Sequence, residues 1–274
     1  MSPASSRIGV VGHVEWVLFG YADAVPQAGE IVHFRDPFEE PAGGGAVVAI
    51  ALARAGAEVL FYTALAKDTE GEATRIRMAE EGVELRVGVR GGRQARAMTI
   101  LDASGDRTII VSQPNAYPCS DDPIGWEDLD SCAAVYATCG EPTGIQEARR
   151  AGILVCSARQ LGALIESGLK ADVVIGSLSD RGEQIDFRIL GKHTKAIVLT
   201  DGERGGRWMS TDDSGLWARQ QLPGEPGDTY GAGDTFAAGL TYALGRGLDM
   251  HDAVEVAARW GAAAVCHRGP YGIR

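Results

Sequence analysis

The apolar positions of this chain fall into short β-branched runs separated by longer stretches of helical character. The first run, Ile8-Gly9-Val10-Val11-Gly12, is continuous rather than alternating, as befits a strand covered on both faces. A polar insertion, His13-Val14-Glu15-Trp16, interrupts it immediately. Residues 43–56 are glycines followed by an alanine-rich segment closed by Gly56, which predicts a helix starting on the glycines. A strand at 58–64 and an amphipathic helix at 69–81 follow. From about residue 125 the two patterns alternate, with strands at 133–138, 153–156, 173–175 and 196–200 and helices near 143–151, 160–167 and 183–191. Such alternation requires parallel strands with right-handed crossovers, and hence a doubly wound, mostly parallel sheet with helices on both faces. A hairpin at 206–210 and 215–218 and helices at 233 to about 246 and 251 to about 267 complete the expected α/β domain, taken as a single unit over 1–274.

Two regions do not fit the alternation. Residues 20–42 contain Pro26, Gly29, Pro37 and Pro41 around one apolar patch, Ile31-Val32-His33-Phe34, and residues 83–111 predict strands at 83–89, 96–101 and 108–111 about a turn at 104–107. Both predict strands outside the main layers. Together they would form a small β-sheet, serving as a lid over a site or as the contact of a homodimer.

Composition narrows the partners more than the fold. The 274 residues, 45% hydrophobic and 23% charged, are ordinary for a globular chain that buries a large core, while a net charge of -11 argues against nucleic acid or an anionic membrane surface. A nucleotide answers to local charge and is not excluded. The cysteines Cys119, Cys132, Cys139, Cys156 and Cys266 form no CxxC pair or disulfide framework, the start has no signal-peptide pattern, and no apolar run reaches membrane-spanning length. The expected location is a reducing cytoplasm.

The chemistry concentrates at residues 227–240, a glycine-rich turn that opens into a helix. Gly231 and Gly233 let the backbone approach a ligand, and the first helical amides have no partner inside the helix, so an anion such as phosphate is favoured there. Asp234 stands at the junction. A carboxylate beside a bound phosphate is repelled by it unless it acts on the reaction, and taking a proton from an attacking hydroxyl is such an action. Glu15, at the carboxyl end of the first strand, is a candidate substrate contact by its position in a parallel sheet; an ion pair with a neighbouring cation reads equally well. Arg159 could steady an anion or tie a loop to a carboxylate, and His13 reads as an ordinary hydrogen-bonding residue near the pocket.

In this order the pieces resemble the ribokinase-like (PfkB) family of sugar and nucleoside kinases over essentially the whole chain. Asp228-Thr229-Tyr230-Gly231-Ala232-Gly233-Asp234 is similar to the family's C-terminal signature, which implies Asp234 as general base and Gly231, Ala232 and Gly233 as the anion hole. Thr200-Asp201-Gly202-Glu203-Arg204-Gly205 resembles the family's Thr-x-Gly-x-x-Gly turn beside the nucleotide, implying Thr200, Gly202 and Gly205 as nucleotide contacts. Gly43, Gly44 and Gly45 resemble the glycine pair that approaches the sugar, although Gly45 and Val48 stand where the family has Asn, and Val17 where it has a substrate-binding Asp. Ser177-Leu178-Ser179-Asp180 stands for Asn-x-x-Glu, implying Ser177 near the nucleotide and Asp180 near Mg²⁺ through water; a polar turn capping a helix reads as well. Asp228 and residues 264–269 lie where family members hold K⁺.

The resemblance implies an ATP- and Mg²⁺-dependent kinase, with K⁺ as a further candidate, that phosphorylates a hydroxyl of a small sugar or related polyol. A nucleoside kinase with the same phosphate machinery is the alternative within enzymes. A non-catalytic nucleotide- or sugar-binding regulator is the alternative outside them, motivated by Gly45, Val48 and Ser177.

Overall fold

The buried strands carry apolar residues on both faces, so the sheet has to be sandwiched between helices. The computed structural model describes residues 7–102, 105 and 107–271. Its large sheet has nine strands: β1 (Arg7–Gly12), β4 (Glu58–Ala66), β5 (Glu84–Arg90), β8 (Ala134–Thr138), β9 (Ile153–Ser157), β10 (Ala171–Ser177), β11 (Thr194–Thr200), β12 (Gly206–Ser210) and β13 (Ser214–Trp217). Their order is β13-β12-β11-β10-β9-β8-β1-β4-β5. All neighbours from β11 to β5 run parallel, and the β12–β13 hairpin adds an antiparallel edge.

Successive strand residues alternate between two cores. Ile8, Val10, Ala134 and Tyr136 face the layer that contains α1 (Gly44–Arg54), α5 (Ala232–Gly245) and α6 (Met250–Val265). Val11, Val135 and Ala137 face the other layer, with α3 (Pro142–Ala148) and α4 (Leu161–Glu166). The remaining helix, α2 (Thr69–Glu80), packs on β4 and β5, its start capped by the Asp68 carboxylate, which accepts from the Gly71 N–H at 2.9 Å.

A separate four-stranded sheet in the order β3-β2-β6-β7 is built from β2 (Glu15–Tyr21), β3 (Arg35–Ala42), β6 (Arg96–Leu101) and β7 (Arg107–Gln113). Its inner face supplies Val17, Phe19, Ala97 and Leu101 to a third core shared with Val47 of α1 and Tyr230. Only period-two residues of β2 point there, which puts Glu15 on the same face as Val17 and Phe19.

The strand boundaries correct three expectations. The small sheet draws on β2, which begins at Glu15 rather than residue 20, and the strand expected at 83–89 is β5, paired in parallel with β4 in the large sheet. The patch Ile31-Val32-His33-Phe34 forms no strand: Ile31 is 86% exposed and the Phe34 ring lies over Gly20 of β2. Residues 183–191 form no α-helix but lie across two 3-10 turns, Arg181–Glu183 and Phe187–Ile189. Asp180 and Asp186 accept from the N–H two residues on, at 2.8 and 2.9 Å, and this local bonding displaces the helical pattern. Of the turn expected at 104–107, residues 104 and 106 lie outside the described residues.

Gly45 shows how tightly α1 enters the core. A Cβ there would stand 2.5 Å from the His13 carbonyl oxygen and 2.9 Å from the Phe61 ring. Gly45→Ala is expected to destabilise the fold by about 1–3 kcal/mol, the usual cost of overpacking, in spite of alanine's better helix propensity. Urea unfolding measures this; an unchanged midpoint would refute the packing role.

Candidate active site

The large sheet reverses its winding between β1 and β8, whose final residues Gly12 and Thr138 are paired in register. Loops leaving the carboxyl ends of adjacent strands toward opposite faces open a crevice at such a point. Three distant segments meet there. An added Cβ on Gly44 would lie 3.1 Å from Asp234 Oδ1 and 3.4 Å from the Thr138 side chain, so the absent side chain is what lets the carboxylate and the glycine loop approach. Gly43, at φ 85°, would place a Cβ 2.9 Å from the His13 ring and 3.5 Å from Glu15 Cγ.

Asp234 lies in the first turn of α5, a 14-residue helix whose N-cap, Gly231, has φ 74°. That left-handed turn suits glycine, and a Cβ there would also press on the Pro270 carbonyl at 3.0 Å. Ala232 donates its N–H to the Thr229 carbonyl at 3.4 Å, while a Cβ on Gly233 would meet nothing within 4 Å. The start of α5 therefore presents unpaired amides to open space, the arrangement that binds an anion. Burial pushes the Asp234 carboxyl up to about 6, helped by the nearby Glu183 carboxylate and less by Glu15, against the opposing pull of Arg107 and Arg159.

Glu15 is buried, and its pKa is raised by that burial against the hydrogen bond from Asn115. No described arginine, lysine or histidine forms an ion pair with it, so the salt-bridge reading fails. Asn115 Oδ1 is buried with no partner among the described residues, an acceptor left over for a ligand hydroxyl. Tyr117 accepts from Gln160 Nε2 at 3.1 Å and stands edge-on to His13, with centroids 5.6 Å apart. Burial drives the His13 pKa down to about 4, so its ring is neutral; Nδ1 lies 3.4 Å from the Thr138 carbonyl. A cavity of about 600 Å³ shares Asn115 and Tyr117 with this cluster.

Ser177 and Thr200 are paired at the ends of β10 and β11. Thr200 Oγ1 donates to the Gly176 carbonyl at 3.4 Å, and the hydroxyls of Ser177 and Ser179 are 3.0 Å apart. Gly202, at φ 53°, faces open space, whereas Gly205, at φ 83°, is closed in by the Trp217 carbonyl of β13. The glycines thus divide into one that leaves room for a ligand and one that lets the hairpin close.

Asp180 is engaged on both oxygens: Oδ1 accepts from the Gly182 N–H and Oδ2 pairs with Arg159 Nη2 at 2.6 Å. The same Nη2 lies 3.1 Å from Glu183 Oε1. Arg159 therefore ties carboxylates together, the second of its two readings. Glu183 and Arg107 were not among the expected residues. Each sits outside any local motif, and only the folded arrangement turns their charges toward Asp234.

The Asp228 carboxylate accepts from the Tyr230 N–H at 2.9 Å, the Gly269 N–H at 2.8 Å and the Tyr21 hydroxyl at 3.2 Å. Among the described residues no group of three or more His, Cys, Asp or Glu is arranged to hold a metal ion. Mg²⁺ takes few protein ligands and keeps its waters, so the carboxylates of Asp180 and Glu183, joined through Arg159, fit an ion held through water. No helix among the described residues is long and apolar enough to cross a membrane.

A nine-stranded doubly wound sheet, a small accessory sheet and a glycine loop at a helix start beside a half-buried carboxylate define the ribokinase-like class of α/β proteins. The model of the pfkB family of carbohydrate kinases matches residues 5–140 and 172–273, and the chain belongs to that family. The ribokinase from Thermotoga maritima shares the fold with a TM-score of 0.77 at 18% identity, covering 97% of this chain and 94% of its own. Phosphofructokinase-2 from Escherichia coli, solved with potassium, superposes with a TM-score of 0.73 at 17% identity over 97% and 94%. The nucleoside kinase from Methanocaldococcus jannaschii does so with a TM-score of 0.74 at 14% identity over 97% and 93%. Among curated protein sequences none matches the chain.

The charge arrangement has a direct spectroscopic consequence. The Asp234 carboxyl should titrate near 6 in ¹³C NMR, and Glu183→Gln should move that midpoint to lower pH by removing a negative neighbour. A midpoint in the ordinary carboxylate range in the unaltered protein would contradict the burial argument.

Proposed function

We propose that this chain is an ATP-dependent kinase that phosphorylates a hydroxyl of a small sugar or related polyol. The observation that carries the proposal is the approach of Asp234 Oδ1 to Gly44, which sets a half-buried carboxylate against the loop resembling the family's sugar loop. Bound Mg·ATP would supply the phosphoryl group and electrophilic assistance. Asp234 takes the proton from a hydroxyl held at Gly43 and Gly44, and the uncovered oxygen is the nucleophile. The partial positive charge at the start of α5, around Gly231, Ala232 and Gly233, offsets charge that grows on the group being transferred. Ser177, Thr200 and Gly202 would flank the nucleotide, with Gly205 closing the hairpin behind them and Asp180 and Glu183 toward Mg²⁺.

The acceptor side supports an uncharged polyol. Glu15, neutral His13, Asn115, Tyr117 and Gln160 are hydrogen-bonding groups of both senses, suited to hydroxyls that donate and accept. The same fold in a nucleoside kinase makes a nucleoside the second acceptor to test. Potassium bound to phosphofructokinase-2 motivates K⁺ near Asp228, through loop carbonyls, since the carboxylate already accepts three hydrogen bonds. Ile109, Ile110 and Val111 lie exposed on β7, at the edge of the small sheet, and pairing of two copies there would cover them.

ADP formation by purified protein against panels of sugars, polyols and nucleosides tests the reading, and nucleotide binding without turnover on every acceptor would favour a regulator. Asp234→Asn should lower kcat by about 10²–10⁴, the range for general-base catalysis, while nucleotide binding persists. Near-normal turnover in that variant would sink the assignment. Because the base works ionised, kcat/KM should fall as pH drops through about 6.

A further inference from the structure

The small sheet touches the anion loop at three successive residues, each holding a different part of it. Asp228 accepts from the Tyr21 hydroxyl at the end of β2, at 3.2 Å. Thr229 donates both its N–H, at 3.3 Å, and its hydroxyl, at 2.9 Å, to the carbonyl of Gly105, which lies between β6 and β7. The Tyr230 ring stands edge-on to Phe19 of β2, with centroids 4.9 Å apart, inside the core that the small sheet shares with α1. Tyr230 and Asp228 are buried, whereas Thr229 is only partly so. Its hydroxyl is thus a polar fastening at the margin of an apolar contact.

What this fastening holds in place matters for the reaction. Two residues beyond Gly105, Arg107 begins β7, and its positive charge acts on Asp234, Glu183 and Tyr230 together. It makes no ion pair with any described residue, unlike Arg159, whose guanidinium is occupied by Asp180 and Glu183. A cation on an accessory strand reaches the centre only while that strand is docked.

We propose that Thr229 is a positioning residue: its hydroxyl latches the β6–β7 connection to the anion loop, and docking of the small sheet in this way delivers Arg107 to the phosphoryl-transfer centre. The Arg107 part rests on the kinase reading; the latch does not. Position of the sheet and completion of the charged centre become one event, because the loop that binds the transferred anion is also the loop that holds the sheet.

Thr229→Val keeps the shape and the backbone donor and removes the hydroxyl, while Thr229→Ser keeps the hydroxyl. Amide hydrogen exchange in the full-length, ligand-free protein should be about fivefold faster across β6 and β7 in Thr229→Val, the effect of one hydrogen bond, with α6 unchanged and Thr229→Ser at the original rate. Equal exchange in Thr229→Val and the unaltered protein would overturn the latch. In kinetics, Arg107→Gln and Thr229→Val should each lower kcat about tenfold or more with little change in KM for ATP, and the double variant should be no slower than Arg107→Gln alone. Losses that multiply in the double variant would overturn the route through Arg107. Absence of turnover in the unaltered protein would count against the kinase reading alone, and the exchange measurement would still decide the latch.

Discussion

The carboxylate of Asp228 is the constraint on which the rest of the site depends. It is 3% exposed, and a buried carboxylate must find hydrogen-bond donors or it cannot remain there. It finds them in the Tyr230 N–H, the Gly269 N–H and the Tyr21 hydroxyl, which belong to the anion loop, the segment after α6 and the small sheet. Its own N–H is spent on the His267 carbonyl at 2.9 Å. One short side chain thereby fixes the path of the loop into the left-handed turn at Gly231, and that turn fixes where α5 begins.

From that start the electrostatics follow. The helix end offers a place for negative charge, yet the same place already holds Asp234, with Glu183 and Glu15 near enough to disfavour its ionisation. Arg107 and Arg159 offset them, one from the small sheet and one from the turn after β9. The result is a carboxylate harder to ionise than an ordinary aspartate, and a charged ligand entering the site shifts that balance again.

The alternation of strands and helices was legible because a doubly covered sheet demands continuous apolar strands, and every parallel strand from β8 to β11 stands where that pattern put it. The glycine turn that opens α5 was legible for a different reason: Gly231, Gly233 and Asp234 are close together in the chain, so a local motif records them. β5 was assigned to the wrong sheet because a short edge strand reads the same whichever sheet it joins. The helix expected at 183–191 failed because Asp180 and Asp186 satisfy nearby backbone amides themselves. Glu183, Arg107 and the loop that carries Asn115 and Tyr117 form no recognised local motif, and Glu183 lies far from the others in the chain. Gly45 was read as part of the sugar loop, and its missing side chain is also what lets α1 pass the His13 carbonyl and the Phe61 ring.

The clamp at Tyr271 bears on how the site comes into being during synthesis. Its hydroxyl donates to the Pro41 carbonyl, its own carbonyl accepts from Arg54 at 3.1 Å, and its ring lies under the guanidinium groups of Arg54 and Arg77, at 5.4 and 5.5 Å. Tyr271, 230 residues after Pro41, thus braces the approach to Gly43 from far along the chain. While the ribosome is still making the second half, β1, α1 and the glycine loop exist without α5 or this brace, and their apolar surfaces are open to other chains. Such long-range closure makes for slow folding. The crevice therefore cannot be completed before Tyr271 is made, and until then a nascent chain needs protection from its neighbours.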